Sequence, residues 1–374
     1  MKKLRHLAAA LAMVVSLGIM VCGCSSGGTG GEPSAPSQTV TISKDKELSV
    51  HFIDVGQADC ILIQTPDKKN ILIDAGNRDD SSLIQKYLKN QQVDTLDLMV
   101  LTHPHEDHIG SAANIIKTYS PAQICMPDAM STSQVFEKTL NAIVESKCEL
   151  LPAKPGTVLL DTGDVRLEVA APNSDGYDSL NDYSVVTRLS YGSRSFLLTG
   201  DAQEISEKEM LDAGAALKSD VLKVGHHGST TSTSEAFLKA VSPEFAVISC
   251  ETGNEYGHPH KEILERLEGA GVTILRTDTQ GTVIMRTDGK QLGYETLGSQ
   301  GGSDGASAGN SAQSASESSS QASDSQQAYV GNKNSKVFHT QECDNNMAEK
   351  NKVFFDTRQQ AVDAGYSPCS RCNP

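Results

Sequence analysis

Three imidazoles and two carboxylates crowd into six consecutive residues, His103-Pro104-His105-Glu106-Asp107-His108, directly after the apolar stretch Leu98-Met99-Val100-Leu101. Polar groups this close to a buried strand are costly unless something binds them. Divalent metals of borderline softness take imidazole and carboxylate together, so the run reads as a ligand cluster at a strand end. The fold must then bring further donors to the same place.

The flanking sequence supplies them. Short apolar runs recur at residues 48–55, 60–64, 71–75, 96–101, 165–170, 184–191, 195–199, 221–224 and 245–249, and their length and β-branched content favour strands. Helical patterns lie between them at 82–91, 112–119, 133–146, 202–211, 234–240 and 261–269. This mixture predicts an α/β layered architecture with helices packed outside the sheets. Polar clusters follow several strands: Gly56-Gln57-Ala58-Asp59, Asp74-Ala75-Gly76-Asn77, the histidine run, Gly200-Asp201, and Gly225-His226-His227-Gly228-Ser229. Loops at one edge of a sheet are where ligands bind in such folds.

Outside this body the composition changes. Lys2, Lys3 and Arg5 precede the apolar run from Leu7 to Val21, a secretory signal rather than a membrane span, although an N-terminal anchor helix is the alternative. Gly23 directly before Cys24 resembles a bacterial lipobox, which implies cleavage at Cys24 and a lipid on its sulfur, holding a secreted protein at the outer face of the cytoplasmic membrane. The chain therefore divides into a signal (1–24), a flexible tether (25–45), a main domain (46–298), a Ser/Gly/Gln-rich linker (299–328) and a small C-terminal domain (329–374). The net charge of −15 falls on the main domain, which argues against broad electrostatic attraction to nucleic acid. Cys60 and Cys250 adjoin apolar runs and read as core residues.

His103-x-His105-x-Asp107-His108, with Asp74-x-Gly76 upstream and Gly200-Asp201 downstream, resembles the metallo-β-lactamase-fold hydrolases. More narrowly, Phe52-Ile53-Asp54-Val55-Gly56-Gln57-Ala58-Asp59, Asn181-Asp182-x-Ser184, His226-His227-Gly228-Ser229 and Asn254-x-Tyr256-Gly257-His258-Pro259-His260 resemble the metallo-hydrolase domain of ComEC-type competence proteins. The resemblance implies an αββα sandwich with two divalent metals, zinc or manganese, at its edge. It implies His103 and His105 as ligands of one metal, Asp107 and His108 of the other, and Asp201 as a bridge. Asp74 and Thr102 would orient ligands.

The family's further histidine is replaced here by Asn181-Asp182. The last ligand is His226 by position, with His227 and His260 as competitors, and the catalytic set is Asp107 and His227. An unligated imidazole there would protonate a leaving group or contact phosphate. Lys223 is either a phosphate contact or a solvated strand residue, and His258 has helix capping as its structural alternative.

At the far end, His339-x₃-Cys343 and Cys369-x₂-Cys372 form a Cys₃His set suited to one structural zinc, with a Cys369–Cys372 disulfide as the alternative. Tyr329-Val330-Gly331-Asn332, Val353-Phe354-Phe355 and Ala364-Gly365-Tyr366 resemble the Ada-type zinc-binding domain, whose four ligands are cysteines. With His339 at the first position, methyl transfer to that ligand is absent, leaving a structural module that binds DNA or a cell-wall polymer.

The expected activity is that of an extracytoplasmic, metal-dependent phosphodiesterase or nuclease acting on extracellular DNA. The alternatives are a hydrolase of a small ester, lactone or phosphocholine, or a noncatalytic surface-binding protein.

Overall fold

The alternation of side chains along the strands explains the layering. In β1 (Leu48–Phe52), Leu48, Val50 and Phe52 enter one core; in β2 (Ile61–Gln64), β3 (Asn70–Ile73) and β4 (Leu98–Val100), Ile61, Ile63, Ile71, Ile73, Leu98 and Val100 join them. The intervening Leu62, Leu72 and Met99 enter a second core on the opposite face. Both faces are buried, so these strands read as continuous apolar runs rather than as alternating ones.

The structure is a computed structural model that describes residues 38 and 40–298 and, further on, 329–333, 336–340, 352–355, 361, 364 and 366–368. Cys24, residues 25–37 and 39 of the tether, the linker, Cys343, Cys369 and Cys372 lie outside the described residues. The chain divides into two units, Met1–Ser303 and Asp304–Pro374.

In the first unit, β5 (Gln123–Met126) and β6 (Glu149–Pro152) extend one edge of the first sheet. The second sheet is built from β7 (Val158–Asp161), β8 (Val165–Ala171), β9 (Val186–Tyr191), β10 (Arg194–Leu198), β11 (Val221–Lys223), β12 (Phe245–Ile248) and β13 (Thr273–Arg276). The hairpin β14 (Val283–Thr287) and β15 (Leu292–Thr296) returns to the first sheet, giving an eight-stranded order β15-β14-β1-β2-β3-β4-β5-β6 against a seven-stranded β13-β12-β11-β10-β9-β8-β7. Phe196, Leu198, Val221, Phe245 and Val247 meet the first sheet's residues in the shared core.

Helices cover the outer faces. α1 (Ser81–Asn90), the short α2 (Glu106–Ile109), α3 (Ala112–Tyr119) and α4 (Gln134–Ser146) pack on the first sheet; α5 (Glu204–Asp212), α6 (Glu235–Val241) and α7 (Lys261–Gly269) pack on the second. The one-turn α8 (Thr277–Gln280) follows β13. The expected αββα sandwich is therefore present. Six strands that the apolar pattern did not mark, β5, β6, β7, β13, β14 and β15, complete its sheets. Among the described residues no helix is long and apolar enough to cross a membrane.

The second unit has a four-stranded sheet, ordered β18 (Lys352–Phe355), β16 (Tyr329–Asn332), β17 (Val337–Thr340), β19 (Ser367–Pro368). Phe338, Phe355, Ala361 and Tyr366 form its small core. His339 lies on β17, paired with Val330 of β16.

Candidate metal centre

Parallel β3 and β4 end side by side, which sets Asp74 next to Thr102. Asp74 takes a left-handed backbone, φ 60°, that turns its carboxylate back over β4. There it accepts from Thr102 N at 2.8 Å, from Thr102 Oγ1 at 2.7 Å and from His108 Nδ1 at 2.8 Å. With Nδ1 occupied, the buried His108 directs Nε2 away from Asp74. The one-turn helix α2 is what places His108 there, because His105 is its extended N-cap residue and Asp107 and His108 lie within its single turn.

Asp201 arrives from the other sheet, just past β10, with its backbone N–H held by Ser184 Oγ at 3.1 Å. Its Oδ2 lies 3.3 Å from His108 Nε2, 3.7 Å from His227 Nε2, and 3.9 Å from both His103 Nε2 and His226 Nε2. Asp107 Oδ2 lies 3.3 Å from His227 Nε2 and 3.8 Å from His108 Nε2. Ligand atoms of Asp107, His108, Asp201 and His227 thus all fall within 4.8 Å of one another.

His226 and His227 follow β11 and both adopt left-handed backbone, φ 50° and φ 53°. Two consecutive non-glycine residues in this region are strained, the kind of conformation that persists where a site requires it. The turn sends the two imidazoles to different places. His227 is buried, with Nδ1 bonded to Ser249 O at 2.9 Å, and Nε2 faces the carboxylates. His226 is half-buried on the rim beside Asn181 Nδ2 at 3.3 Å, Gln203 Nε2 at 3.4 Å and Thr231 Oγ1 at 3.0 Å. The structure brings His227, rather than His226, into the four-donor group, because His227 Nε2 reaches both Asp107 and Asp201 whereas the His226 ring stays on the rim, its Nε2 3.9 Å from Asp201 Oδ2. His260 is farther out, with Nδ1 accepting from Thr230 N at 3.1 Å.

His103 and His105 stand beside this group. His103 Nε2 and His105 Nδ1 are 2.9 Å apart, while Thr102 Oγ1 and Ser184 Oγ lie 3.1 Å and 3.3 Å from His103 Nδ1. Asn181, at the position where the family resemblance leads one to expect a histidine, buries an amide oxygen that has no hydrogen-bond partner.

The electrostatics are those of a cation site. Burial alone would push His108 down, yet the carboxylates of Asp201, Asp107 and Asp74 hold it well above the ordinary histidine value. Burial would likewise raise Asp201 and Asp107, but the facing imidazoles, His108 foremost, hold both below the usual carboxylate range. Burial drives His103 well below its ordinary value and lowers His226 as well. His108 Nε2, His227 Nε2 and Asp201 Oδ1 are buried without a hydrogen-bond partner. Orphaned donor atoms of this kind, imidazole and carboxylate together, fit a divalent metal. A second grouping of Asp59, Asp74 and His108 is already engaged, Asp74 by Thr102 and His108 and Asp59 by Lys223.

Two sequence readings change. Lys223 has no exposed side-chain surface and pairs with Asp59 Oδ2 at 2.9 Å, so it neither meets phosphate nor solvates. His258 does not cap α7; His260 occupies that N-cap position, and its side chain makes no capping bond. Asp59 and Ser184 stood within the quoted motifs without a role, and only tertiary structure reveals what they hold.

A model of the metallo-beta-lactamase superfamily matches residues 53–252, and one of the metal binding domain of Ada matches residues 313–374. Over 257 residues the chain is 33% identical to "ComE operon protein 3" of Bacillus subtilis, covering 64% of this chain and 33% of that protein. It is 31% identical to "Recombination protein 2" of Haemophilus influenzae, covering 65% of this chain and 30% of that protein. With "Competence protein ComA" of Neisseria gonorrhoeae it shares 30% identity, over 64% of this chain and 32% of that protein. The chain thus spans about a third of the length of these relatives.

Proposed function

The chain belongs to the metallo-beta-lactamase superfamily, and from that premise we propose that its main domain is a metal-dependent phosphodiesterase acting on extracellular DNA. The observation that carries the reading is the convergence of half-buried Asp107 with buried His108, Asp201 and His227, among which His108 Nε2, Asp201 Oδ1 and His227 Nε2 have no hydrogen-bond partner. Two of the relatives are named as a recombination and a competence protein, which favours nucleic acid over a small ester.

Asp107, His108, Asp201 and His227 would hold one divalent cation, zinc or manganese; His103 and His105, with Asp201 between, would hold a second. Such cations lower the pKa of water and neutralise phosphoryl oxygens, which is what diester hydrolysis needs. Asp74 fixes the His108 ring through Nδ1, and Ser249 O does the same for His227. His226, half-buried and outside the donor group, would donate a hydrogen bond to a phosphate oxygen of the substrate.

The main domain is attached to the outer face of the cytoplasmic membrane through a lipid on Cys24. His339, Cys343, Cys369 and Cys372 hold a structural zinc in the C-terminal domain, a module that binds DNA or cell-wall polymer.

The test is hydrolysis of bis-p-nitrophenyl phosphate, linear DNA and a lactone by the metal-loaded protein, alongside metal analysis. His227→Ala should lose both metal and activity. His226→Ala should keep its metal and lose about 10²–10³ in rate, the worth of one hydrogen-bond donor to the developing charge. Hydrolysis of the lactone with neither diester attacked would overturn the reading in favour of a small ester, which the net charge of −15 would suit.

A further inference from the structure

We propose that Tyr256 and His258 form a stacking subsite for one unpaired base of a nucleic-acid strand whose phosphodiester lies at the metal centre. This rests on the phosphodiesterase reading and adds to it how a strand is recognised.

The rings of Tyr256, His258 and His227 form a row. Tyr256 and His258 are stacked with centroids 5.6 Å apart and planes 25° from parallel. His258 and His227 continue the row at 6.4 Å and 22°. The inner ring belongs to the donor group, while the outer one, Tyr256, is 60% exposed. The series therefore leads from the buried site to solvent and ends on an aromatic residue open to a further ring.

The loop carrying Tyr256 is fixed before anything binds. Asn254 Nδ2 donates to Glu251 O at 2.8 Å and to His258 O, and Asn254 Oδ1 accepts from Tyr256 N at 3.1 Å and His258 N at 3.0 Å. Gln57 Nε2 lies 3.3 Å from His258 Nδ1, and Gln57 Oε1 accepts from Glu251 N at 3.2 Å. A loop bonded on all sides that still presents a large ring to water loses little entropy when that ring is covered.

The geometry selects the ligand. A cage for a quaternary ammonium needs aromatic walls around one point, whereas these rings are nearly parallel, which suits a flat base. Bases in a duplex are already covered on both faces, so the ligand is an unpaired strand. Charge favours the same mechanism: on a chain of net charge −15, stacking supplies attraction that a basic groove would supply elsewhere.

The full-length, metal-loaded protein is assayed on a single-stranded oligonucleotide and on the same strand made abasic at the nucleotides flanking the cleaved bond. Tyr256→Ala should raise KM on the intact strand about tenfold or more, the size of one base–aromatic stack, and leave the metal content unchanged. Tyr256→Phe should keep the wild-type KM, and Tyr256→Ala should have no further effect on the abasic strand. An intact-strand KM indifferent to Tyr256, or an equal loss on both strands, overturns the subsite while leaving the phosphodiesterase reading intact. A strand carrying 2-aminopurine gives an independent readout: quenching that depends on Tyr256 in a protein that cleaves no strand supports the subsite and refutes the activity.

Discussion

A lysine without exposed surface at the end of β11 sets an energetic condition on the site. The Lys223 ammonium lies 2.9 Å from Asp59 Oδ2 and donates to Val224 O at 2.9 Å, and Asp59 Oδ1 lies 3.7 Å from His227 Nδ1. Breaking a buried pair leaves the other charge uncompensated. Lys223→Met should therefore lower stability by about 3–5 kcal/mol, and the Asp59→Asn, Lys223→Met double variant should recover part of it, as read by urea denaturation. A second buried group acts through pH. Burial, reinforced by Arg286, holds the His51 imidazole down at about 3, from an ordinary value of 6.5, and its ring nitrogens meet Tyr87 Oη and Ser49 Oγ at 2.8 Å each. The unfolded chain binds that proton at higher pH than the folded one, so the stabilisation is complete above 6.5 and is lost as pH falls towards 3. The slope is about 1.4 kcal/mol per pH unit, and it should flatten in His51→Gln when denaturation is followed at stepped pH. At this scale the histidine run was legible because its chemistry is compressed into adjacent residues. The Asp59–Lys223 pair was not, because nothing in sequence order connects a loop after β1 with the end of β11.

The helices were the legible elements. α3 and α7 occupy the spans their periodicity predicts, and α4 begins where Ser133 Oγ accepts from Phe136 N at 3.2 Å. α2 was not legible, since four residues carry no period, yet it delivers two ligands. Nor were β6 and β7, which include exposed positions, or β14, whose run is interrupted by Arg286. Strands of this kind are defined by their partners. α2 ends on Gly110, where an added Cβ would lie 2.2 Å from Asn77 C and 2.3 Å from Arg78 N. That peptide bond and Glu106 O, 2.6 Å away, cannot yield, so Gly110→Ala should cost at least the ~1–3 kcal/mol of an overpacked core and reduce metal content with it. Thermal melting and metal analysis of the same sample check both effects.

At the scale of the molecule, the contact between the sheets dominates the main domain. Phe196, fully buried, stands in that contact, and Phe196→Ala should cost about 3–5 kcal/mol, read as a lower urea midpoint. Among its described residues the C-terminal unit centres on Phe338, Phe355, Ala361 and Tyr366, with Tyr329 and Val353 packed against them. So small a core needs a staple, and a chelator should abolish its calorimetric transition. The route of the chain through the first sheet has a further consequence. β1 lies between β2 and β14, with Leu48 opposite Thr287. During vectorial synthesis the first strand is made early but lacks one neighbour until nearly the whole domain has emerged. Closure of the sheet therefore waits on the last hairpin, a pairing of high sequence separation and hence slow formation, and the polypeptide stays threadable until its final strands are released.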